Sequence, residues 1–320
     1  MFFAQPHTSQ STWSGPSSGM ICMAAAMSLL PLGDVLSKLL TEVLDPIEVT
    51  SGRVLAQATF LLPAAIVLKN RLKGRMFSPI LALSGLLVMI TLICLVGAFA
   101  VMPMANAIAI FFVEPLILTV LAAPLLGEVI GPRRLAAVGI GLVGALIVIR
   151  PGDELEIAAL LPLLAAAAYA LNMIVLRFAS RTRSGLTVQC GATIYACIGM
   201  VCLNFGLQDA GLVALEPGNV PTSGWVLILG SGFFAAVSYV LIAEAFRHAE
   251  AGLLAPFQYL EIIGATAVGY LVFGDFPDGM TWAGIAVILV SGLYVAYRER
   301  SRAPATLEPT AHESRRLRPR

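Results

Sequence analysis

The chain has 320 residues, of which 58% are hydrophobic and only 12% charged, and its mean hydropathy is +0.87. Soluble domains carry about 25% charged residues, and a soluble fold of this length lacks the interior to bury so much apolar surface. The net charge of +1 offers no basic field to a nucleic acid. The composition therefore excludes an ordinary soluble protein, gives no support to a nucleic-acid partner, and indicates lipid as the solvent for most of the chain.

The two ends of the chain differ in composition from the rest. Residues 1–19 are rich in Ser, Thr, Pro and Gly and contain no Lys or Arg, so they lack the basic start of a signal peptide. Residues 299–320 are basic and contain proline. We expect both segments to be disordered, and we expect the basic tail to lie in the cytoplasm.

Apolar runs long enough to cross a membrane recur along the chain. A helix needs roughly 20 apolar residues to cross about 30 Å of hydrocarbon, and its backbone groups must bond within their own segment. The alternation of a membrane barrel strand is absent from the sequence. The sequence therefore predicts an all-α membrane protein with ten transmembrane helices, near residues 20–43, 47–68, 78–98, 104–126, 132–149, 157–178, 186–207, 223–246, 251–273 and 280–297.

The basic residues are divided unevenly between the loops. If the N-terminus is cytoplasmic, 17 of the 20 Lys and Arg residues fall in cytoplasmic loops or the C-terminal tail. Arg150 alone falls outside, and Lys38 and Arg53 lie within predicted helices. Because cytoplasmic loops are enriched in Lys and Arg, we expect a multi-pass protein of the cell inner membrane with both termini in the cytoplasm.

The sequence contains a weak internal repeat. The segment EPLILTVLAAPLLGE (114–128) aligns with EIIGATAVGYLVFGD (261–275) at an offset of 147, which matches two glutamates, two glycines and two acidic ends. This offset predicts two five-helix repeats, over residues 20–150 and 151–298. Because five is odd, the second repeat enters the membrane from the opposite side. Inverted repeats of this kind are usual in secondary transporters.

Three segments resemble the EamA-type transporters of the drug/metabolite transporter superfamily. MANAIAIFFVEPLILTVLAAPLLGE (104–128) resembles the fourth helix of that family, and RRLAAVGIGLVGALIVIRPG (133–152) resembles its Gly-rich fifth helix. AGLLAPFQYLEIIGATAVGYLVFGDFPD (251–278) resembles the ninth helix. The resemblance covers about residues 20–298. It implies a duplicated five-helix module that moves small organic metabolites across the cytoplasmic membrane, in either direction.

The sequence leaves the substrate and the direction of transport open. The family includes amino-acid exporters and importers of larger metabolites such as riboflavin and S-adenosylmethionine. An amino acid or a related compound is therefore the first expectation, and uptake of a larger metabolite is the alternative. A membrane scaffold without transport is a further alternative, although a scaffold has no use for two inverted halves. A coupling proton and a homodimer stay open.

Catalytic and metal-binding patterns are incomplete in the sequence. Gly33-Asp34 and Gly274-Asp275 lack the full motifs of intramembrane aspartyl proteases, so we expect no enzymatic activity. The five cysteines fall inside apolar runs without the spacing of metal ligands. We therefore expect no cofactor and no metal site.

Two glutamates lie at corresponding depths in the fourth and ninth predicted helices. Glu114 and Glu261 each stand ten residues into an apolar helix, about 15 Å from its start. A charge at the bilayer centre costs at least about 2.5–3.5 kcal/mol, so it usually faces a cavity or a partner. We predict that both line a central cavity and bind substrate or a coupling proton. The structural alternative is that each caps a backbone group freed by Pro115 or Pro256.

Aromatic and amide side chains accompany the two glutamates. Phe112 precedes Glu114, and Gln258 and Tyr259 precede Glu261. We predict that Phe112, Gln258 and Tyr259 complete the substrate-binding set, with the rings stacked on a planar substrate. Packing between helices remains the alternative for the aromatic rings.

Three charged residues are predicted near the outer side of the first two helices. Asp34 and Lys38 are four residues apart with the acid first, a spacing that places both on one helix face and favours an ion pair. Arg53 lies about 9 Å from the outer end of the second helix. We expect the three residues to form one polar cluster, either as an outer gate or as a static brace. The matching helix of the second half, near residues 184–197, has no charge at that position.

The charge distribution predicts the positions of both termini. Reporter fusions placed after Lys73 and at the C-terminus should be active on the cytoplasmic side, because Lys and Arg are retained there. A fusion placed after Asp153 should be active outside. A C-terminus exposed to the outside would contradict both the orientation and the inverted repeat.

Overall fold

The computed structural model describes residues 16–126, 131–149, 157–180, 182–210, 220–248, 254 and 257–300. Within these ranges the chain forms α-helices, one 3-10 turn at Lys69–Arg71 and no β-strand. The helices, numbered here in chain order, are α1 (Pro16–Leu40), α2 (Pro46–Val67), α3 (Pro79–Val101), α4 (Met104–Phe111), α5 (Glu114–Leu126), α6 (Pro132–Ile149), α7 (Leu160–Ser180), α8 (Gly185–Asp209), α9 (Thr222–His248), α10 (Leu260–Phe273) and α11 (Gly279–Arg300).

The described helices supply ten apolar segments suited to a membrane. Six segments are long and apolar enough to cross a bilayer, and four shorter ones lie within α6, α7, α10 and α11. The fourth long segment, Met104–Leu121, runs from α4 into α5, so these two helices form one span. The prediction of an all-α membrane protein with ten transmembrane helices is confirmed.

Several helices begin where the sequence supplies a helix-start signal. Pro46 opens α2 and Pro79 opens α3. The first amide of a helix has no hydrogen-bond partner within the helix, so proline, which lacks an amide hydrogen, is well tolerated there. The backbone amide of Asp45 donates to the Glu48 carboxylate at 3.2 Å and closes a capping box before α2. These local signals fix the helix starts independently of the apolar pattern.

Two boundaries differ from the prediction. Helix α1 begins at Pro16, so residues 16–19 belong to a helix rather than to the disordered segment predicted over 1–19. Ser18 is buried in the bundle. Small polar residues such as serine are common at helix interfaces in membranes, so a serine-rich composition did not exclude a helix here. Helix α11 extends to Arg300, two residues into the predicted tail. Residues 1–15 and 301–320 lie outside the described residues.

The two halves pack with an internal two-fold relation. Helix α1 packs on α9 and α10, and its equivalent α7 packs on α3 and α5. Helix α2 packs on α9 as α8 packs on α3. The equivalents α2 and α8 contact each other, and so do α6 and α11. These contacts between the halves either occur in pairs related by exchange of the halves or join equivalent helices, as an inverted repeat requires.

Two equivalent glycines allow close contacts between the halves. Gly85 in α3 and Gly232 in α9 are separated by 147 residues, the offset of the sequence repeat. An added Cβ at Gly85 would lie 2.7 Å from the carbonyl oxygen of Ala192 in α8. One at Gly232 would lie 2.6 Å from the carbonyl carbon of Ala56 in α2. Small residues permit such approaches in membranes, so the same device joins α3 to α8 and α9 to α2.

Helices α6 and α11 meet at the internal two-fold axis. An added Cβ at Gly144 would lie 3.0 Å from the carbonyl oxygen of Gly284, and one at Gly284 would lie 2.8 Å from that of Gly144. The hydroxyl of Ser291 donates to the carbonyl oxygen of Ala137 at 3.0 Å. At an offset of 147, Ser291 is the equivalent of Gly144, and Gly284 is the equivalent of Ala137. These two contacts are therefore related by the exchange of halves.

The loops at the two ends of the bundle differ in charge. We call one end the basic end, for its residues Lys69, Arg71, Lys73, Arg75 and Arg183. We call the other the acidic end, for its residues Glu42, Asp45, Asp275 and Asp278. The described charges therefore follow the asymmetry that orients membrane proteins.

The close approach at Gly232 predicts a selective loss of stability. Gly232→Ala pushes α9 away from Ala56 and Gln57 of α2, and overpacking of this kind costs about 1–3 kcal/mol. Gly206→Ala is the matched control, because an added Cβ at Gly206 in α8 meets nothing within 4 Å. Heating the purified protein in detergent and measuring the remaining monodisperse fraction should show a lower transition temperature for Gly232→Ala alone. Equal temperatures would contradict the packing of α2 on α9.

Candidate functional site

The fourth and ninth spans are both interrupted just before their glutamates. Helix α4 ends at Phe111 and α5 begins at Glu114, with two turn residues between them. In the second half Tyr259 forms a turn, and α10 begins one residue later. Pro115 has no amide hydrogen to give to the preceding turn, which favours the first break. Pro256, its predicted counterpart, lies outside the described residues.

Glu114 and Glu261 open the two half-helices and are both buried. They stand in the first turns of α5 and α10, with 8% and 7% of their surface exposed. A carboxylate is favoured at a helix N-terminus, where unpaired amide groups and the helix dipole are positive. Oε1 of Glu114 has no hydrogen-bond partner among the described residues. A buried oxygen without a partner is costly, so this atom suits a ligand.

The two glutamates approach each other between the halves. Glu261 lies within electrostatic range of Glu114. Tyr169 of α7 lies within range of both glutamates, and Tyr239 of α9 lies within range of Glu261. The sequence analysis missed both tyrosines, because a tyrosine within an apolar helix carries no signal of the surface it faces. Two tyrosine side chains therefore lie near the carboxylates in addition to the residues predicted from the sequence.

Phe112 and Tyr259 are equivalent residues that contact each other across the halves. They are separated by the repeat offset of 147, and their ring centroids lie 5.5 Å apart with the planes inclined by 37°. An added Cβ at Gly292 in α11 would collide with the Tyr259 hydroxyl, so the missing side chain leaves room for this ring position. Tyr259 also lies within electrostatic range of Glu114. We call Phe112, Glu114, Tyr259 and Glu261 the central cluster.

Phe111 and Gln258 are the next pair of equivalent residues. Phe111 packs on Tyr169, with ring centroids 5.6 Å apart. Gln258 is half-buried and directly precedes the turn residue Tyr259. The repeat thus places an aromatic ring in one half where the other half has an amide, and the two halves of the site are chemically different.

Asp34 and Arg53 form a buried ion pair between α1 and α2. Nη1 of Arg53 donates to Oδ1 of Asp34 at 2.7 Å and to the Ser37 hydroxyl at 3.0 Å. The side chain of Asp34 is 3% exposed and that of Arg53 is 2% exposed. Nε of Arg53 has no partner among the described residues, and Glu261 lies within electrostatic range of the guanidinium. The ion pair therefore borders the central cluster.

The predicted pairing of Asp34 with Lys38 is wrong. Nζ of Lys38 binds Oδ2 of Asp275 at 3.0 Å, and it lies 3.5 Å from the carbonyl oxygen of Met102. Nζ also stands 4.4 Å from the ring centroid of Phe273. A pair four residues apart on one helix is worth only about 0.2–0.5 kcal/mol, so tertiary partners decide the outcome. The three predicted gate residues form two separate ion pairs rather than one cluster.

The second half has no charged equivalent of Arg53. Tyr195 of α8 lies beside Gly85 of α3, and Ala56 of α2 lies beside Gly232 of α9. Because Gly85 and Gly232 are equivalent, Tyr195 is the equivalent of Ala56, and residues of α8 correspond to residues of α2 at an offset of 139. In that register the equivalent of Arg53 is Ala192, a buried apolar residue. The buried ion pair therefore belongs to one half only, and it makes the two sides of the central cluster electrostatically different.

The two halves of the chain have counterparts among known sequences. The EamA-like transporter family matches residues 17–150 and again residues 156–297. The chain belongs to the EamA-like transporter family. The predicted membership of the drug/metabolite transporter superfamily is therefore confirmed, and the protein is a multi-pass transporter-family protein of the membrane.

Two curated relatives are named as transporters. The chain is 31% identical to a riboflavin transporter of Rhizobium johnstonii over 214 residues, which make up 66% of this chain and 68% of that protein. It is 29% identical to an S-adenosylmethionine uptake transporter of Rickettsia bellii over 272 residues, 83% of this chain and 89% of that protein. A crystal structure that covers 90% of this chain and 99% of its own chain has a TM-score of 0.61 at 16% identity, and it supports the fold alone.

The contact between Gly292 and Tyr259 predicts a reversible loss of stability. Gly292→Ala places a methyl group against the Tyr259 hydroxyl, and the displaced ring should cost about 1–3 kcal/mol. Removing the hydroxyl in a Gly292→Ala/Tyr259→Phe double variant should recover part of that loss. The thermal transition temperature of each purified variant measures both effects, with Gly139→Ala as the control because its added Cβ meets nothing within 4 Å. A double variant no more stable than Gly292→Ala would place Tyr259 elsewhere.

Proposed function

We propose that this protein is a secondary transporter that moves a small organic metabolite across the cell inner membrane by alternating access. Inverted halves supply two related routes to one central site, each leading to a different side of the membrane. The observation that carries the proposal is the pair of buried glutamates at equivalent helix breaks. A carboxylate with a purely structural role as a cap would accept a hydrogen bond from a backbone amide. Oε1 of Glu114, by contrast, has no hydrogen-bond partner among the described residues.

The proposed substrate-binding residues are Glu114, Glu261, Tyr259, Phe112 and Gln258. The two carboxylates attract a cationic group and accept hydrogen bonds. The aromatic pair offers faces for a planar group, and the Tyr259 hydroxyl adds a donor. The half-buried amide of Gln258 both donates and accepts hydrogen bonds. Together these groups suit a molecule with a flat ring and a polar, positively charged tail.

S-adenosylmethionine is the first candidate substrate. Its adenine ring suits the Phe112–Tyr259 pair, and its sulfonium and ammonium groups suit Glu114 and Glu261. The relative from Rickettsia bellii is named as an uptake transporter for this compound. It is both an amino-acid derivative and a larger metabolite, so it fits both substrate classes that the sequence leaves open.

Riboflavin is the second candidate substrate. The relative from Rhizobium johnstonii is named as its transporter. The planar ring system of riboflavin suits the same aromatic pair, and its hydroxyl-bearing tail can donate to the two carboxylates. Riboflavin carries no positive charge, and this difference separates the two candidates by experiment.

We infer that the acidic end of the bundle faces outside and that both termini lie in the cytoplasm. Lys and Arg are retained on the cytoplasmic side of membranes, and the described loops of the basic end carry them. In this orientation the two broken spans approach the central cluster from opposite sides. A proton bound by one of the paired carboxylates is the coupling ion that this arrangement suits best.

Uptake by proteoliposomes tests the proposed substrate class. Vesicles that contain the purified protein should accumulate radiolabelled S-adenosylmethionine. Unlabelled S-adenosylhomocysteine has the same ring without the sulfonium charge, so it should compete weakly. Faster uptake of riboflavin than of S-adenosylmethionine would assign the flavin instead. No accumulation of S-adenosylmethionine, riboflavin or a neutral amino acid would contradict the proposed class.

The two glutamates predict the effect of removing their charge. Glu114→Gln keeps the shape of the side chain but removes its charge and its titratable proton, so concentrative uptake should fall by at least about tenfold, or 1.4 kcal/mol. Glu261→Gln should reduce uptake less, since the unpartnered oxygen belongs to Glu114. Glu42→Gln, at an exposed position of the acidic end, is the control.

The pH dependence completes this test. Uptake by the parent and by the three variants is measured between about pH 5 and about pH 8, the range in which a coupling proton would bind and leave. Normal accumulation by both Glu114→Gln and Glu261→Gln throughout this range would make the carboxylates structural caps, and the proposed mechanism would then be wrong.

A further inference from the structure

Lys38 and Asp275 join the two halves at the acidic end of the bundle. Lys38 stands on the last turns of α1, and Asp275 follows α10 at a distance of 237 residues along the chain. Nζ and Oδ2 lie 3.0 Å apart, and the side chains are 13% and 36% exposed. The pair is therefore reached by water on the Asp275 side while its ammonium faces the protein.

The ammonium of Lys38 is held on the protein side by two further groups. The carbonyl oxygen of Met102, at the end of α3, lies 3.5 Å away, and the ring of Phe273, at the end of α10, lies 4.4 Å from Nζ. A carboxylate, a carbonyl group and an aromatic face thus converge on one cation. The ammonium thus connects three segments of the acidic end: α1, the end of α3 and the end of α10.

Apolar side chains occupy the space between this ion pair and the central cluster. Val35, one turn before Lys38, belongs to the same continuous core of buried residues as Met102, Phe112 and Tyr259. Separation of α1 from α10 at the acidic end would open a route through this core. The ion pair is a polar contact between these two segments at their outer ends.

The segments that carry the two charges contain backbone features that favour movement. Gly274 adopts a left-handed conformation with φ 74° and turns the chain from α10 to Asp275. Pro31 interrupts the hydrogen bonds of α1 two turns before Lys38, and helices commonly bend at proline. The backbone can therefore change direction at Pro31, before Lys38, and at Gly274, directly before Asp275.

A cavity of about 240 Å³ lies on the solvent side of the pair, and Asp275, Asn106 and Asp278 are among its lining residues. We propose that the Lys38–Asp275 ion pair is the gate that closes the central cluster toward this cavity. The gate rests on the proposed alternating-access function. When the pair separates, α1 and α10 part at the acidic end, and the cavity becomes continuous with the central cluster.

A reporter thiol between the gate and the central cluster tests this role without any substrate. Val35→Cys places the thiol at a position that is 4% exposed in the closed structure. The full-length protein is placed in nanodiscs and treated with a charged maleimide. Peptide mass spectrometry reads the modification at position 35 separately from the five native cysteines, which stay in place.

Two matched variants are compared in this background. Asp275→Asn removes the charge that binds Lys38, and loss of a charge-assisted contact should speed labelling at position 35 by about tenfold or more. Asp278→Asn removes a carboxylate of the same loop whose Oδ1 accepts the Thr281 amide at 3.0 Å. The labelling rate of this control should stay within about twofold of the parent, because its cap on α11 is local.

The charge-swapped variant Lys38→Asp/Asp275→Lys separates a gate from a simple loss of structure. It restores an ion pair between the same positions, so its labelling rate should return toward that of the parent. Labelling of Asp275→Asn no faster than that of Asp278→Asn would overturn the gate, whatever the uptake assay shows. Faster labelling would support the gate even if none of the tested metabolites is transported.

Discussion

Lipid offers no hydrogen bonds to a broken helix, so every backbone group freed inside a span must find its partner within the protein. The breaks before Glu114 and at Tyr259 can therefore exist only where the halves cover each other, and α4 does contact α10 there. Each break exposes a helix N-terminus, whose positive end favours a carboxylate at that point. The rings of Phe112 and Tyr259 pack on each other across the two halves beside these breaks.

The ion pairs Asp34–Arg53 and Lys38–Asp275 have different environments, and this suggests different roles. Separation of Asp34 from Arg53 would leave an unpaired charge away from water, and breaking a buried pair costs about 3–5 kcal/mol. That cost favours a static brace between α1 and α2. Asp275 is partly exposed, so water can solvate its carboxylate when it leaves Lys38, and separating this pair costs less than separating the fully buried one. Only the second pair suits a contact that opens and closes in each transport cycle.

Residues within the repeat could be predicted from the sequence, whereas contacts between distant segments could not. A single offset relates Glu114 to Glu261, and the structure places both at half-helix starts. The pairing of Lys38 with Asp275 was missed because only a short-range partner is visible along one helix, and a pair on one helix contributes little energy. Tyr169 was missed for a related reason, since hydropathy does not reveal which face of an apolar helix meets a neighbouring half.

A shared central site requires that Glu114 and Glu261, from different halves, bind one ligand. The dissociation constant of S-adenosylmethionine, or of riboflavin if that compound is transported, should be measured for the parent, both single Gln variants and the double variant. Residues that share a ligand couple by about 0.5–3 kcal/mol, whereas independent residues add within about 0.3–0.5 kcal/mol. A shared site predicts that the double variant loses less binding free energy than the sum of the single losses. Additive losses would contradict it.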